Sequence, residues 1–376
     1  MVTTATRPEA PAQRVGLIFG ALLTTMLMSS LGQMIFSTAL PTIVGELGGV
    51  NHMSWVISGF MVTMTIAMPI FGKLGDMVGR KWLYLFGIGT FVVGSTMGGF
   101  AQSMELLVVA RAIQGFGAGG MMVTSQAIVA EVVPARQRGK FMGIMGAMFG
   151  VSSVLGPVLG GWFTDGPGWR WGLWINVPLG ILAFTVSLLA LRLRTGSRDN
   201  LRYDWLGTAL MTVTTASLIL LATWGGTEYE WGDPVILGLI ATTVIGAILF
   251  ILVELKATNP LIPMDLFRNR NMTLTTISGA VMGLAMMGAL GYLPTYLQMV
   301  HSLTPTDAGL MMIPMMVGMI GTSTSVGFLI AKSGNYKIYP VVGLGVMSGA
   351  LWLMSRLTVE TTLVQLGIIF FLFGFG

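Results

Sequence analysis

Cysteine is missing from the 376-residue sequence, and histidine occurs only twice, at His52 and His301. Without cysteine there are no disulfides, no thiolate metal sites and no cysteine nucleophile. The two histidines both read as loop residues on one side of the chain. They leave no metal constellation and no Ser/His/Asp set. No Gly-rich Lys-Ser/Thr loop is present to cradle a nucleotide phosphate. No cofactor, no metal and no enzymatic activity are therefore expected, and uphill work by this chain requires an ion gradient. Charge is scarce as well: 9% of residues are charged, against roughly a quarter in soluble domains.

What is abundant is apolar. The chain is 54% hydrophobic, with a mean hydropathy of +0.80. Its apolar runs are about 18–24 residues long, enough for a helix to cross a hydrocarbon layer of roughly 30 Å. Segments alternating apolar and polar residues are lacking, which argues against an outer-membrane barrel. The expected class is an all-α polytopic membrane protein with the lipid bilayer as its solvent. Spans are expected at 15–38, 54–72, 82–100, 106–129, 140–161, 172–191, 205–224, 234–253, 272–294, 308–331, 338–356 and 362–376. The last stops at Gly374-Phe375-Gly376 inside an apolar run, so the C-terminal half is expected to be incomplete.

The basic residues report topology, not nucleic acid. Alternating the loops between two sides places every Lys and Arg on one side except Arg111, Arg170 and Arg356. Arg7, Arg14, Arg136, Arg194, Arg198 and Arg202 belong to that majority. The positive-inside bias makes this side cytoplasmic, with the N-terminus on it, in a plasma or inner membrane. The opposite loops carry acids: Glu46, Asp165, Glu228, Glu230, Asp233, Asp307 and Glu360. Residues 1–14 are polar and read as a cytoplasmic tail, not a cleavable signal.

An internal repeat is visible. Leu40-Pro41-Thr42 recurs as Leu293-Pro294-Thr295, Gly72-x-Leu74 with Gly79 as Gly327-x-Leu329 with Gly334, and Gly87-Ile88-Gly89 as Gly343-Leu344-Gly345. The three offsets are nearly equal. Two homologous halves of the same orientation follow, at 15–192 and 256–376, with an inserted helix pair at 193–255. Carriers built from such repeats hold substrate between the halves, near the midplane.

Three stretches stand out. The hydrophilic turn Gly72–Lys81 carries Gly75, Asp76, Gly79 and Arg80 between two long apolar runs. It reads either as a plain cytoplasmic loop or as a mechanical part, with Asp76 accepting from an Arg or from a helix N-terminus when the cytoplasmic side closes. Arg111 lies inside a span, where charge is costly. It either snorkels to the interface or faces a central cavity, with Gln114 and Gly115 on the same helix face. Gly115, Gly117, Gly119 and Gly120 permit close helix contact. In the fifth span, Gly156, Pro157, Gly160 and Gly161 read either as small-residue packing or as a contact between sliding helices. The methionine clusters near Met286, Met311 and Met315 suit either an adaptable pocket or lipid-facing filler.

On these residues the chain resembles the major facilitator superfamily along essentially its whole length. Gly72, Leu74, Asp76, Gly79, Arg80 and Lys81 look like that family's signature between helices 2 and 3. Arg111-x-x-Gln114-Gly115-x-Gly117 resembles the helix-4 signature, whose Arg is implicated in proton coupling. Gly156-Pro157-x-x-Gly160-Gly161 resembles the helix-5 signature of antiporters. The extra helix pair, Leu40-Pro41-Thr42-Ile43, Trp169-Arg170-Trp171 with Ile175-Asn176-Val177-Pro178, and Tyr296-Leu297-Gln298 through Ala308-Gly309 are similar to the fourteen-helix drug:proton antiporter branch. The resemblance implies alternating access and exchange of protons for hydrophobic or amphiphilic small molecules. Gln33, Arg111, Gln114, Tyr292, Tyr296 and Gln298 are the polar cavity candidates. One departure matters: the branch commonly carries an Asp in helix 1 where this chain has Gly32. Export of a native lipid or metabolite with altered coupling, and a non-transporting membrane sensor, remain as alternatives.

Overall fold

The computed structural model describes residues 15–49, 52–134, 137–193, 203–303, 305–334 and 337–376. The N-terminal tail and Arg7, Arg14, Arg136, Arg194, Arg198 and Arg202 lie outside the described residues. The first half comprises α1 (Val15–Leu47), α2 (Met53–Val78), α3 (Arg80–Gly99), α4 (Met104–Val132), α5 (Arg138–Asp165), α6 (Trp171–Trp174) and α7 (Asn176–Ala190). The inserted pair is α8 (Trp205–Trp224) and α9 (Pro234–Glu254). The second half holds α10 (Arg270–His301), α11 (Pro305–Leu310), α12 (Ile313–Ser333), α13 (Ile338–Met354) and α14 (Leu363–Phe375).

Among the described residues, nine segments are long and apolar enough to cross a membrane. They coincide with the first eight expected spans and the tenth. The ninth falls within α10, and the eleventh and twelfth overlap α13 and α14. Helix is the required solution, because lipid offers no partner for an unpaired backbone amide. Where helices begin near water, side chains cap them: Ser103 for α4, Asp204 for α8, Asp233 before Pro234 for α9, and a Thr362–Gln365 capping box for α14.

The differences from the expected boundaries have local causes. Helix α1 continues through Pro41 to Leu47, and α10 continues through Pro294 to His301. Each repeated Leu-Pro-Thr thus sits inside a helix, and neither ends one. His301, expected in a loop, is the last residue of α10, and His52 is the N-cap of α2. The sixth expected span is interrupted at Ile175, which separates α6 from α7. The repeat extends to backbone geometry. Gly79 ends α2 with φ 108° and Gly334 ends α12 with φ 73°, values at which a side chain would be strained.

Packing in the first half centres on α4, which lies against both α2 and α3. Lipid tails are as apolar as the helix surfaces, so close backbone approach, not water exclusion, holds such helices together. A Cβ at Gly115 or Gly119 would strike the carbonyl oxygen of Phe60 or Met64 on α2, and one at Gly117 would strike the Phe91 amide on α3. The two halves meet where α5 packs on α12. There Gly139 faces Gly327, Gly143 faces the Ser323 carbonyl, and Gly150 receives the Met319 side chain. Gly156, in the segment read as small-residue packing or a sliding contact, packs on Met34 of α1. The methionines serve neither of the expected roles alone. Met312 and Met315 are buried in the core of the second half, and Met316 and Met319 reach into the seam at Gly150.

The contrast between crowded and open glycines is testable. Gly117→Ala should destabilise the protein by about 1–3 kcal/mol through overpacking. Gly146→Ala, which meets nothing within 4 Å, should be neutral or stabilising by up to ~1 kcal/mol. Melting of both variants in one detergent checks this; equal melting temperatures would contradict the packing account.

Candidate functional site

Arg111 sits seven residues into α4 counting from Met104, roughly 10 Å along the helix at 1.5 Å per residue. Its side chain is 1% exposed and that of Gln114 is fully buried. Its Nη1 donates to the Gly32 carbonyl of α1 at 2.8 Å and to Gln114 Oε1 at 2.6 Å. Its Nε donates to the Val56 carbonyl of α2 at 3.4 Å. Gln114 Nε2 donates in turn to Ser95 Oγ of α3 at 2.7 Å. The guanidinium lies between two aromatic faces, 4.1 Å from the centroids of Phe36 and of Phe60. Four helices therefore converge on one cation.

A charged Arg at the bilayer centre costs about 3 kcal/mol or more. Carbonyl dipoles and aromatic quadrupoles offset part of that. The approach of α2 over Gly115 is what brings Val56 and Phe60 within reach. The expectation that Arg111 faces an open cavity is corrected: it is sealed inside the first half, and it does not snorkel. None of the ion pairs among the described residues includes it. Gly32, noted in sequence only for the carboxylate it lacks, supplies the carbonyl that Arg111 grips. A Cβ on Gly32 would lie 3.3 Å from Phe91 Cζ and 3.6 Å from Gln114 Nε2. Ser95, Phe36, Phe60 and the Val56 carbonyl were missed by sequence reasoning. Only Phe36 carried a usable signal, one turn beyond Gly32 on the same face of α1.

The signature stretch connects outward from its own turn. Asp76 accepts from Arg80 Nη2 at 2.9 Å, and the side chain of Asp76 is 65% exposed. Arg80 Nη1 donates to the Ala127 carbonyl of α4 at 2.9 Å and approaches Glu131 at 3.4 Å. Lys81 donates to the Leu188 carbonyl of α7 at 2.7 Å. Lys73 donates to Asn259 Oδ1 at 2.6 Å and to the Pro260 carbonyl at 2.9 Å, in the connection that follows α9. That connection is shaped by Glu254, whose carboxylate accepts from the amides of Leu261 and Ile262 at 3.2 and 3.1 Å. Gly75 is buried and its carbonyl receives the Gly79 amide at 3.1 Å, while Gly72 makes ordinary contact with Val123.

At the opposite ends of these helices, Glu46 of α1 accepts from Arg170 Nη1 at 2.5 Å and from Trp169 Nε1 at 2.7 Å. Arg170 also donates to the Ala101 carbonyl at 3.0 Å. The inserted pair is tied to α2 here too: Ser54 donates to Glu228 at 2.7 Å, and Trp55 meets Trp224 edge to face at 4.6 Å. In the helix-5 motif, Pro157 lies inside α5, Gly160 is buried and accepts the Thr164 hydroxyl, and Gly161 faces open space. The remaining cavity candidates are not gathered. Gln33 is half-buried on α1, whereas Tyr292 and Gln298 stand exposed on α10. Tyr296 donates to the Thr358 carbonyl at 3.2 Å.

These features define a class: a polytopic helical membrane protein whose two repeated halves meet along α5 and α12, with one buried cation in the first. The chain belongs to the Major Facilitator Superfamily, whose profile matches residues 22–376. It is 40% identical to an uncharacterized MFS-type transporter of Mycobacterium tuberculosis (strain ATCC 25618 / H37Rv), over 93% of this chain and 50% of that protein. It is 37% identical to the multidrug transporter protein MdtP of Bacillus subtilis (strain 168), over 94% of this chain and 65% of the relative. Multidrug resistance protein 3 of the same strain is 34% identical, over 100% of this chain and 72% of the relative. The chain thus spans about half the length of the mycobacterial relative. The fold matches the proton:xylose symporter XylE bound to 6-bromo-6-deoxy-D-glucose with a TM-score of 0.65 at 13% identity, covering 96% of this chain and 79% of that one. At that identity the likeness concerns the fold alone.

Glu46 gives a pH prediction. The Arg170 and Trp169 hydrogen bonds hold its carboxyl below the usual carboxylate range. A depressed folded-state pKa contributes stability above the ordinary range, and that contribution is lost as pH falls through the folded value. The side chain is 48% exposed, so screening limits the effect to under ~1 kcal/mol. Glu46→Gln should lower the melting temperature at about pH 7 and converge on the parent protein near about pH 3. A constant difference at both pH values would remove the ion pair from the account.

Proposed function

We propose that this protein is a proton-coupled secondary exporter of hydrophobic or amphiphilic small molecules, of the multidrug-efflux type. It resides in a plasma or inner membrane with its N-terminus cytoplasmic, and belongs to the fourteen-helix antiporter branch. The observation that carries this is the Arg111–Gln114 pair held by α1, α2 and α3. It is a buried charge whose hydrogen-bond network draws on four helices, so a change in their packing would alter its partners. The printed names of the Bacillus subtilis relatives, a multidrug transporter and a multidrug resistance protein, support the substrate class.

Alternating access requires a seam about which the halves rock and contacts that make and break at the ends. The seam is α5 on α12, where glycines and methionines allow close and adaptable contact. The signature stretch acts as the gate: Arg80 couples the α2–α3 turn to α4, and Asp76 holds Arg80 in place. The Gly156–Gly161 segment fixes α5 to α1 beside Gly32, so motion of α5 reaches the Arg111 nest. Gly32 itself favours a second reading, export of a native lipid or metabolite with altered coupling, because position 32 of α1 holds no carboxylate to carry the proton.

Everted membrane vesicles decide the matter. With an acidified lumen, an uncharged amphiphilic fluorophore should accumulate inside, and a protonophore should abolish the accumulation. Inserted, folded protein without proton-driven accumulation would sink the antiporter proposal. In the same assay Asp76→Asn should preserve insertion and reduce the rate roughly tenfold, the effect of losing about 1.4 kcal/mol from the rate-limiting conformational step. An unchanged rate would reduce the stretch to a topology marker.

A further inference from the structure

Arg111 is a positive charge in the membrane interior that no described group neutralises. Every described carboxylate lies in a connection or within one turn of a helix end. The partners of Arg111 are the carbonyls of Gly32 and Val56, the Gln114 amide and two phenyl rings, all uncharged. Such groups stabilise the guanidinium but leave its net charge intact. Its field therefore extends through a low-dielectric region that counter-ions do not enter. At roughly 10 Å and an effective dielectric constant of about 20, a unit charge of the same sign is disfavoured by at least tenfold in binding, and one of opposite sign favoured by as much.

The position that would cancel this charge is identifiable. A Cβ on Gly32 points at the Phe91 ring edge and at Gln114 Nε2, 3.6 Å away. Gln114 is the residue bonded to Arg111. A carboxylate at position 32 would join that network, and the only substituent there is hydrogen.

We propose that the membrane-interior site of this carrier selects uncharged and acidic amphiphiles and rejects permanent cations, with Arg111 as the source of the selectivity and Gly32 as the residue that leaves it uncompensated. The proposal rests on the reading of the chain as an exporter of amphiphilic small molecules and specifies the charge of what it exports.

Tetraphenylborate and tetraphenylphosphonium have nearly the same size and shape and opposite charge. Binding of each is measured to the full-length protein in nanodiscs of phosphatidylcholine, with protein-free nanodiscs subtracting partition into lipid. The wild-type protein should bind the borate at least tenfold more tightly than the phosphonium. Gly32→Asp should collapse or reverse that ratio, whereas the uncharged, similarly sized Gly32→Asn should retain it. Equal or tighter binding of the phosphonium by the wild-type protein overturns the charge selectivity and leaves the exporter reading standing. That comparison needs no variant, so it holds even where Gly32→Asp fails to fold. A ratio that is unchanged in a folded Gly32→Asp protein also overturns the proposal. Binding of neither ion overturns this proposal, and proton-driven uptake of an uncharged probe decides the exporter reading separately.

Discussion

A guanidinium inside a membrane bundle has to be satisfied by groups brought to it, since neither water nor a carboxylate is at hand. Arg111 meets this condition with two backbone carbonyls, one amide side chain and two aromatic faces drawn from α1, α2 and α4. The arrangement tolerates little slack. A carbonyl dipole or ring face stabilises a cation only at near contact, so the three helices and α3 behind Gln114 must lie closer than ordinary side chains permit. The glycines of α4 follow from that requirement. Gly115 and Gly119 admit α2, and Gly117 admits α3. The rest of the first half is arranged around that tightly packed group.

The ends of the bundle are handled differently, because water is available there and full charges can be used. At one end the signature stretch fastens the α2–α3 turn to α4, α7 and the connection after α9 through Arg80, Lys81 and Lys73. At the other, Glu46 and Arg170 join α1 to the connection before α6. The inserted pair α8–α9 is held to α2 at both ends, by Ser54 and Trp55 on one side and Lys73 on the other. Of these bonds, those of Lys73 alone extend past the inserted pair, to Asn259 and Pro260 ahead of α10. The halves meet through α5 and α12, where glycine, serine and methionine make close contacts. A tightly packed first half joined to the second along a seam of small and flexible residues suits the proposed rocking of the halves.

Gly32 links the static picture to the proposed mechanism. Its carbonyl holds Arg111, while its missing side chain leaves the cation uncompensated. The Gly156 segment of α5 packs two residues further along α1, on Met34, so the seam helix and the charged nest share one helix as intermediary. Displacement of α5 therefore has a short route to the carbonyl that Arg111 grips.

Composition and periodicity determined the class, the placement of most spans, the repeat and the residues worth watching, because each depends on local properties. A run of apolar residues fixes a membrane helix wherever it lies, and a repeated Gly at a helix end permits a positive φ in both halves, as at Gly79 and Gly334. The role of those residues depended on what stands opposite them, which one sequence does not encode locally. The helix limits near Pro41, Pro294 and Ile175 differed from the expected ones, with α1 and α10 continuing through their prolines and a break at Ile175. Gly156 of the small-residue motif packs on Met34 of α1, while the less conspicuous Gly139, Gly143 and Gly150 face α12 at the seam. Arg111 was legible as a buried charge. Only the tertiary structure decided that its ligands are Gly32, Val56, Phe36 and Phe60, because backbone carbonyls and ring faces leave no residue-type signature. They become ligands through helix approach alone.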